Sequence, residues 1–585
     1  MSTRTESSEA ALALCEQRMA DTFGMSSEER DDEHALGPVS LAYLRNSIAL
    51  IENSGINEKI MQWDGEARTS TAGRKRVLPL TAILPIMLLH IQMGRGVVYL
   101  DIANTLHRRF GTKHFELLGI PNKPSDKMDW YHRFWRGLKQ ILGHIDPYPF
   151  PLDGRMKAGD YAARLADFTH GEGKEQHERN LDRIDWLCNQ LVLASARTMP
   201  KEFLRQYQGN CAIDASLIAV QGRQNPTNLE LNRSNPDPFS GRYRRGGKHD
   251  GKGAKTDIAG YEVETATTVW NRPSESELFP SVVTAISFHK PGMLVGHGMK
   301  LIERHKAAFG LDRFLVMADR AYNNSRIETF HIPARKAGVE LVIDYRAKDL
   351  GLQGAYADLY LVDGNWHVRS LPQKLIDATK DLVELEKSRS EFERFDYNQK
   401  RAALLARLKN RSHYRMTAKG LPDPDGYQRF TYPTESPVPH TSLDGKKSIM
   451  IPLLIPEKTV KAKEPGGKSR VLQPLKHLQR FAYMGEEWSS HYGMRNLVEA
   501  SNSRFKDANQ EDLGNTKKRS GRGFSSNYLV TALAISSFNL RSIAAFILKL
   551  RDKAVEKPIR ARRRKDENKR PLARLVTAQA AAPPG

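Results

Sequence analysis

The sequence predicts an α/β protein: a mixed sheet flanked by helices, interrupted by an inserted subdomain and preceded by an all-helical domain. Three observations predict it. Between 210 and 346, β-branched runs bounded by turn residues alternate with helical segments. Before residue 150, apolar residues recur only at helical spacing. From 347 to 478 the regularity is lost, and it resumes afterwards. At 585 residues the chain exceeds one core and should divide.

Residues 1–36 are polar and acidic ("SSEERDDEHA") and read as a disordered tail, with no signal peptide in view. The segment 37–150 reads as a helical domain. Its last helix, "SDKMDWYHRFWRGLKQIL", has Ser125 and Asp126 as candidate N-caps and carries Trp130, Tyr131, Arg133 and Arg136. Short helices with Gly- and Pro-containing turns suggest a helix-turn-helix-like module, with Arg133 and Arg136 as DNA contacts. Packing is the competing role for the aromatics.

The core's first part spans 180–346. "NCAIDASLIAV" (210–220), "YEVETATTVW" (261–270), "SVVTAISFH" (281–289), "RFLVMAD" (313–319) and "VELVIDYR" (339–346) read as strands. The order of strands and helices implies an antiparallel part followed by a parallel part. The segment 347–478 reads as an inserted subdomain, with a highly charged helical stretch over 373–410. The core resumes over 479–550 with an apolar helix, "NYLVTALAISSFNLRSIAAFIL". Residues 551–585 form a basic tail with no core-forming pattern.

Composition narrows the function. Ninety Lys and Arg against 68 Asp and Glu leave a formal charge of +22, a field that attracts polyanions, nucleic acid above all. Cys15, Cys188 and Cys211 are too few and too scattered for a disulfide framework or a cysteine zinc site. The apolar run at 78–93 is too short to cross a bilayer and contains Pro79 and Pro85, so no membrane partner is expected. Two basic stretches are candidates to track DNA backbone: "GRYRRGGKHDGKGAK" (241–255), with Arg244, Arg245 and Lys248, and "RARRRK" in the tail.

Asp214 lies inside an apolar strand, where an unpaired carboxylate costs several kcal/mol. Asp319 ends another strand, the position where ligands collect in open α/β sheets. Either alone suits a cap or a turn. The stretch "YGMRNLVEASNSRFK" adds Tyr492, Arg495, Glu499 and Lys506, which on one continuous helix fall within an arc of about 60°. One carboxylate between two cations and a phenol suits a metal-bound phosphate. Glu499 would complete a trio with Asp214 and Asp319. Hard oxygen ligands favour Mg2+ or Mn2+ over zinc.

These residues resemble the DDE transposases of bacterial insertion sequences, in the branch whose helix reads Tyr-x2-Arg-x3-Glu-x6-Lys. All four positions match at the same spacing. "MADRAY" is similar to that branch's Asp-Arg-Gly-Tyr segment, with Ala321 in place of glycine, and "AIDAS" to its first-aspartate strand. The resemblance covers about a third of the chain, roughly 205–345 and 480–545. It implies an RNase H-like core interrupted before the glutamate helix. It also implies cut-and-paste transposition: metal-dependent strand cleavage and strand transfer on double-stranded DNA, at element ends and at target, by a homodimer. A bacterial cytoplasmic location on the nucleoid goes with it.

Two metal ions would be held with Asp214 bridging, Asp319 on one and Glu499 on the other. Arg495 and Lys506 would bind phosphate and Tyr492 would donate a hydrogen bond or stack. Arg320 and Tyr322 are further DNA-binding candidates. Trp366 is the candidate platform for a flipped base, and Trp488 the alternative. The competing readings are a catalytically silent, transposase-derived DNA-binding protein and another RNase H-like nuclease such as a junction resolvase.

Overall fold

The computed structural model describes residues 2–24, 39–68, 76–121, 125–149, 158–221, 237, 239–245, 256–275, 278–293, 295–434, 445–453, 460–463, 469–472 and 474–555. The architecture is mixed α/β: an N-terminal helical region, a mixed sheet, and an insertion between the last strand and the C-terminal helices.

The helical region comprises α1 (Ser2–Phe23), α2 (Leu41–Asn53), α3 (Ile56–Glu66), α4 (Ile83–Gln92), α5 (Tyr99–Arg108), α6 (Thr112–Leu117), α7 (Lys127–Ile145), α8 (Ala158–His170), α9 (Lys174–Arg197) and α10 (Lys201–Gln206). Caps account for two of the starts. Ser40 accepts from the Ala42 amide at the head of α2, and Asp126 accepts from the Asp129 amide at 2.7 Å at the head of α7. The expected N-terminal tail is helical instead. Cys15, Met19 and Phe23 of α1 are buried, and Arg18 pairs with Glu202 while lying over the Phe203 ring. Those apolar side chains share one stripe of a helix whose charged residues hide it in a composition count. The remainder of the acidic segment, 25–38, lies outside the described residues.

The sheet holds β1 (Cys211–Ala219), β2 (Gly241–Arg245), β3 (Thr256–Thr268), β4 (Val283–His289), β5 (Phe314–Ala318) and β6 (Val339–Ile343). β3 is long enough to carry β2 and β4 along one side and β1 along the other, all antiparallel. β1 then pairs parallel with β5, and β5 with β6. The outer edge of β4 is satisfied by side chains. The Val283 amide donates to Asn539 and the Ile286 amide to Asn189, while Arg304 donates to the Ile286 carbonyl. A sheet edge is thereby closed without another strand.

After β4 come α11 (His297–Phe309), then β5, α12 (Arg320–Asn323), a π-turn at Ile327–His331 and α13 (Ile332–Lys336). The insertion has its own cores. Two three-stranded antiparallel sheets enclose Leu359, Leu361, Trp366, Phe430 and Ile451. The charged stretch forms α14 (Gln373–Ile376), α15 (Ala378–Lys387) and α16 (Arg394–Arg411), anchored by a buried Arg411–Asp363 ion pair. After α17 (Pro474–His477), Gln479 returns the chain to the sheet by accepting from the Ile343 amide and the Trp488 indole.

The chain ends in α18 (Glu486–Gly493), α19 (Asn496–Arg504) and α20 (Phe524–Val555). By length and composition α20 is the one described helix able to cross a membrane, yet 78% of its apolar window is buried inside the protein. It packs against α1, α4, α9 and β4, so helices and sheet share one hydrophobic core from Cys15 to Ile547. All three cysteines are buried and free. The basic tail beyond Val555 lies outside the described residues.

Candidate functional site

Strand register builds the site. Ile213 of β1 is level with Ala318 of β5, and Ala318 is level with Ile343 of β6. Asp214, inside β1 where its parallel pairing with β5 stops, therefore stands beside Asp319 and Asp344, the residues that follow β5 and β6. Asp319 also caps α12, accepting from the Ala321 amide at 2.8 Å, which turns the chain away from the sheet.

Above these strand ends lies the Tyr492–Lys506 segment, and it is not one helix. The chain breaks at Met494–Arg495, so Tyr492 belongs to α18, Arg495 is the N-cap position of α19, Glu499 lies in its first turn, and Lys506 follows its C-cap. Arg495 and Glu499 still meet across one turn at i,i+4, with Tyr492 on the preceding helix. Tyr492 is stacked on Trp488 with centroids 4.6 Å apart, and Trp488 is buried. α19 is docked on the sheet by Asn502, which donates to Asp214 Oδ2 at 3.1 Å and accepts from Thr265 at 3.1 Å.

Arg495 stands where the carboxylates meet. Its guanidinium is 2.6 Å from Glu499 Oε1, 3.1 Å from Asp214 Oδ1 and 4.0 Å from Asp319 Oδ2. Side-chain exposure rises from 14% at Arg495 and 17% at Asp214 to 32% at Asp319 and 45% at Glu499, so the site opens to solvent on the Glu499 side.

The guanidinium is one cation facing three carboxylates. Burial, with the charges of Asp319 and Glu499, pushes the Asp214 carboxyl up to about 6 despite Arg495. Burial opposes the charge on Arg495, but Asp214, Tyr492, Asp319 and Glu499 together hold its pKa above the ordinary value. Burial lowers the Lys506 pKa, against the pull of Asp214. Burial and then Asp344 raise that of the Tyr492 phenol.

Among the described residues, no group of three or more His, Cys, Asp and Glu is arranged as a ready metal site. The carboxylates already surround a cation, the Arg495 guanidinium, and their hard oxygens suit Mg2+ or Mn2+ in kind.

Several expected site residues lie elsewhere. Tyr322 is buried and donates to Glu264 Oε2 at 3.0 Å, so it fixes α12 to β3 and cannot meet DNA. Trp366 is 2% exposed, packed in the core of the insertion, and presents no stacking face. Arg133 is held inward by Ser125, Asp129 and the Trp130 ring. Arg136 is exposed on α7, and Arg320 is exposed at the start of α12. Arg244 is exposed on β2; Arg245 ends that strand, and Lys248 lies outside the described residues.

Sequence reasoning missed Asn502, Thr265, Asp344 and Glu264. Asp344 had a signal, the terminal Asp of "VELVID"; Asn502 had one only in lying three residues beyond Glu499 on the same helix face. No protein-family model, curated protein or solved structure matches this chain.

Proposed function

We propose that the chain is a DDE-type transposase with an RNase H-like core, acting on double-stranded DNA at the ends of its element. The observation that carries this reading is the convergence of Asp214, Asp319 and Glu499, from three distant parts of the chain, on one guanidinium. The sheet supports it: three antiparallel strands followed by two parallel ones, with Asp214 inside the first strand and Asp319 at the end of the parallel strand beside it.

The charge count argues for added cations. Three carboxylates against Arg495 and Lys506 leave a negative excess, which would repel a DNA phosphate. Asp214, Asp319 and Glu499 would hold two divalent ions. Such ions, when bound, supply an activated water and stabilisation of the leaving oxygen.

The chain's own groups do the rest. Arg495 offers a planar fork to phosphate oxygens and Lys506 a point charge. Tyr492, held flat on Trp488, presents its phenol to the strand being cut. Asn502 keeps Asp214 oriented, and the Asp319 cap keeps the second carboxylate at its strand end. Cleavage of the element end leaves a 3′-hydroxyl, which the same site positions for attack on target DNA. A homodimer holding two ends and a nucleoid location belong to this proposal.

The test uses a labelled duplex carrying the end of the element, with Mg2+, Mn2+ or EDTA, and wild type beside Asp319→Ala and Glu499→Ala. Metal-dependent nicking by wild type alone is expected, with end binding retained in both variants. Tight binding without strand cleavage in either metal would replace the enzyme with a DNA-binding relic. Cleavage of branched DNA without need of an end sequence would point to a junction resolvase.

A further inference from the structure

Arg495 makes two demands on one guanidinium. As a phosphate ligand it must face the DNA; in the structure it faces three carboxylates, at 2.6, 3.1 and 4.0 Å. The same oxygens are those the proposed function assigns to divalent cations, so Arg495 and the metal compete for them. Its hold is incomplete as well. The buried Arg495 Nε finds no acceptor among the described residues, and the Asp319 contact is at the limit of an ion pair. An incoming phosphate would supply the missing acceptor. Arg495 stands at the N-cap position of α19, just after the break from α18.

We infer that Arg495 is an exchangeable counter-cation that couples metal loading to DNA binding. In free protein its guanidinium holds Asp214, Asp319 and Glu499 together and keeps divalent ions weakly bound. When duplex arrives, the guanidinium transfers to a phosphate and the three carboxylates are released to the metal. The site then loads fully only on DNA. This rests on the metal-dependent reading proposed above.

Coupling of this kind is reciprocal, so it is measurable without turnover. Mn2+ binding is followed by titration calorimetry or electron paramagnetic resonance on the full chain, with and without a short non-specific duplex. Wild type is compared with Arg495→Ala and Arg495→Lys. Without DNA, Arg495→Ala is expected to bind Mn2+ about tenfold more tightly than wild type, the scale of one displaced ion pair in a half-buried site. Arg495→Lys, whose compact ammonium cannot span three carboxylates, is expected to fall between them. Duplex is expected to tighten Mn2+ binding several-fold in wild type and to leave Arg495→Ala unchanged.

Equal or weaker Mn2+ binding by a folded Arg495→Ala would overturn the inference while leaving the metal site standing. Should Arg495→Ala lose its thermal transition, Arg495→Lys carries the comparison, and wild-type affinity in it overturns the inference too. Absence of Mn2+ binding in wild type and variants alike, with or without duplex, would remove both the inference and the metal-dependent reading beneath it.

Discussion

At the scale of single residues, the buried polar groups beneath the site matter as much as the carboxylates above it. His289 Nδ1 faces the Lys290 carbonyl at 2.7 Å and Nε2 faces Glu264 Oε1 at 3.0 Å. Both ring nitrogens meet acceptors, an arrangement that favours the imidazolium. Burial opposes that charge, but Glu264, with Glu262 behind it, outweighs burial and raises the His289 pKa. His297 stacks on it at 4.1 Å, with its own pKa depressed to about 3 by burial and by His289.

The folded pKa of His289 lies above its unfolded value of about 6.5, so the stability it contributes is complete below that pH. The contribution is lost as pH rises through the folded pKa. His289→Gln should cost about 3 kcal/mol at pH 6. The gap to wild type in urea unfolding should narrow above neutrality; a gap that stays constant with pH would show that His289 is not charged. "ISFH" ends an obvious strand, but nothing local reveals that His289 meets Glu264, which in turn accepts from Tyr322.

Among the elements, α7 shows what a helix reading leaves open. The cap at Asp126 and the apolar stripe through Trp130, Phe134, Leu138 and Ile141 were legible, because helical spacing is a local property. Which cations remain outside was decided by packing. Trp130 stacks on Phe115 and draws Arg133 in with it. The exposed face is instead His132, Trp135, Arg136 and Lys139, with Lys139 over the Trp135 ring at 5.1 Å.

If α7 meets duplex DNA, Arg136→Ala with Lys139→Ala should weaken binding and lower the salt slope by about two, one for each phosphate that is no longer neutralised. Arg133→Ala should lower thermal stability and leave the slope alone. A slope that responds to Arg133 and ignores the pair would place the DNA face elsewhere. The Tyr492–Lys506 segment carries the same lesson. A helical wheel places its four residues on one side, and the break at Met494–Arg495 puts Tyr492 on α18 and Glu499 on α19.

Over the whole molecule, α20 is the pillar. From Phe524 to Leu540 it is buried on every side, and α1, α4, α9 and β4 pack against it. Asn539 ties it to the sheet edge, exchanging hydrogen bonds with Val283 at 2.8 and 2.7 Å. Removal of residues 1–24 would strip α1 from this helix and expose the surfaces that Cys15, Met19 and Phe23 cover. Such a truncation should cost about 3–6 kcal/mol, from burial of about 1.5–3 kcal/mol per large apolar side chain. It should also lower the melting temperature and open α20 to proteolysis. An unchanged melting temperature would mean that α1 is dispensable to the core.

The sequence by itself determined the α/β class and the five strands with β-branched runs, and it singled out the three carboxylates that the fold brings together. Those follow from periods of two and 3.6 residues and from a spaced motif, all readable within short windows. Tertiary structure alone decided that β2 joins the sheet, that α1 belongs to the core, that Trp366 and Tyr322 are buried, and that Arg495 lies among three carboxylates. Each of those depends on strand register or on contacts across hundreds of residues, and no local pattern encodes which distant side chain fills a given space.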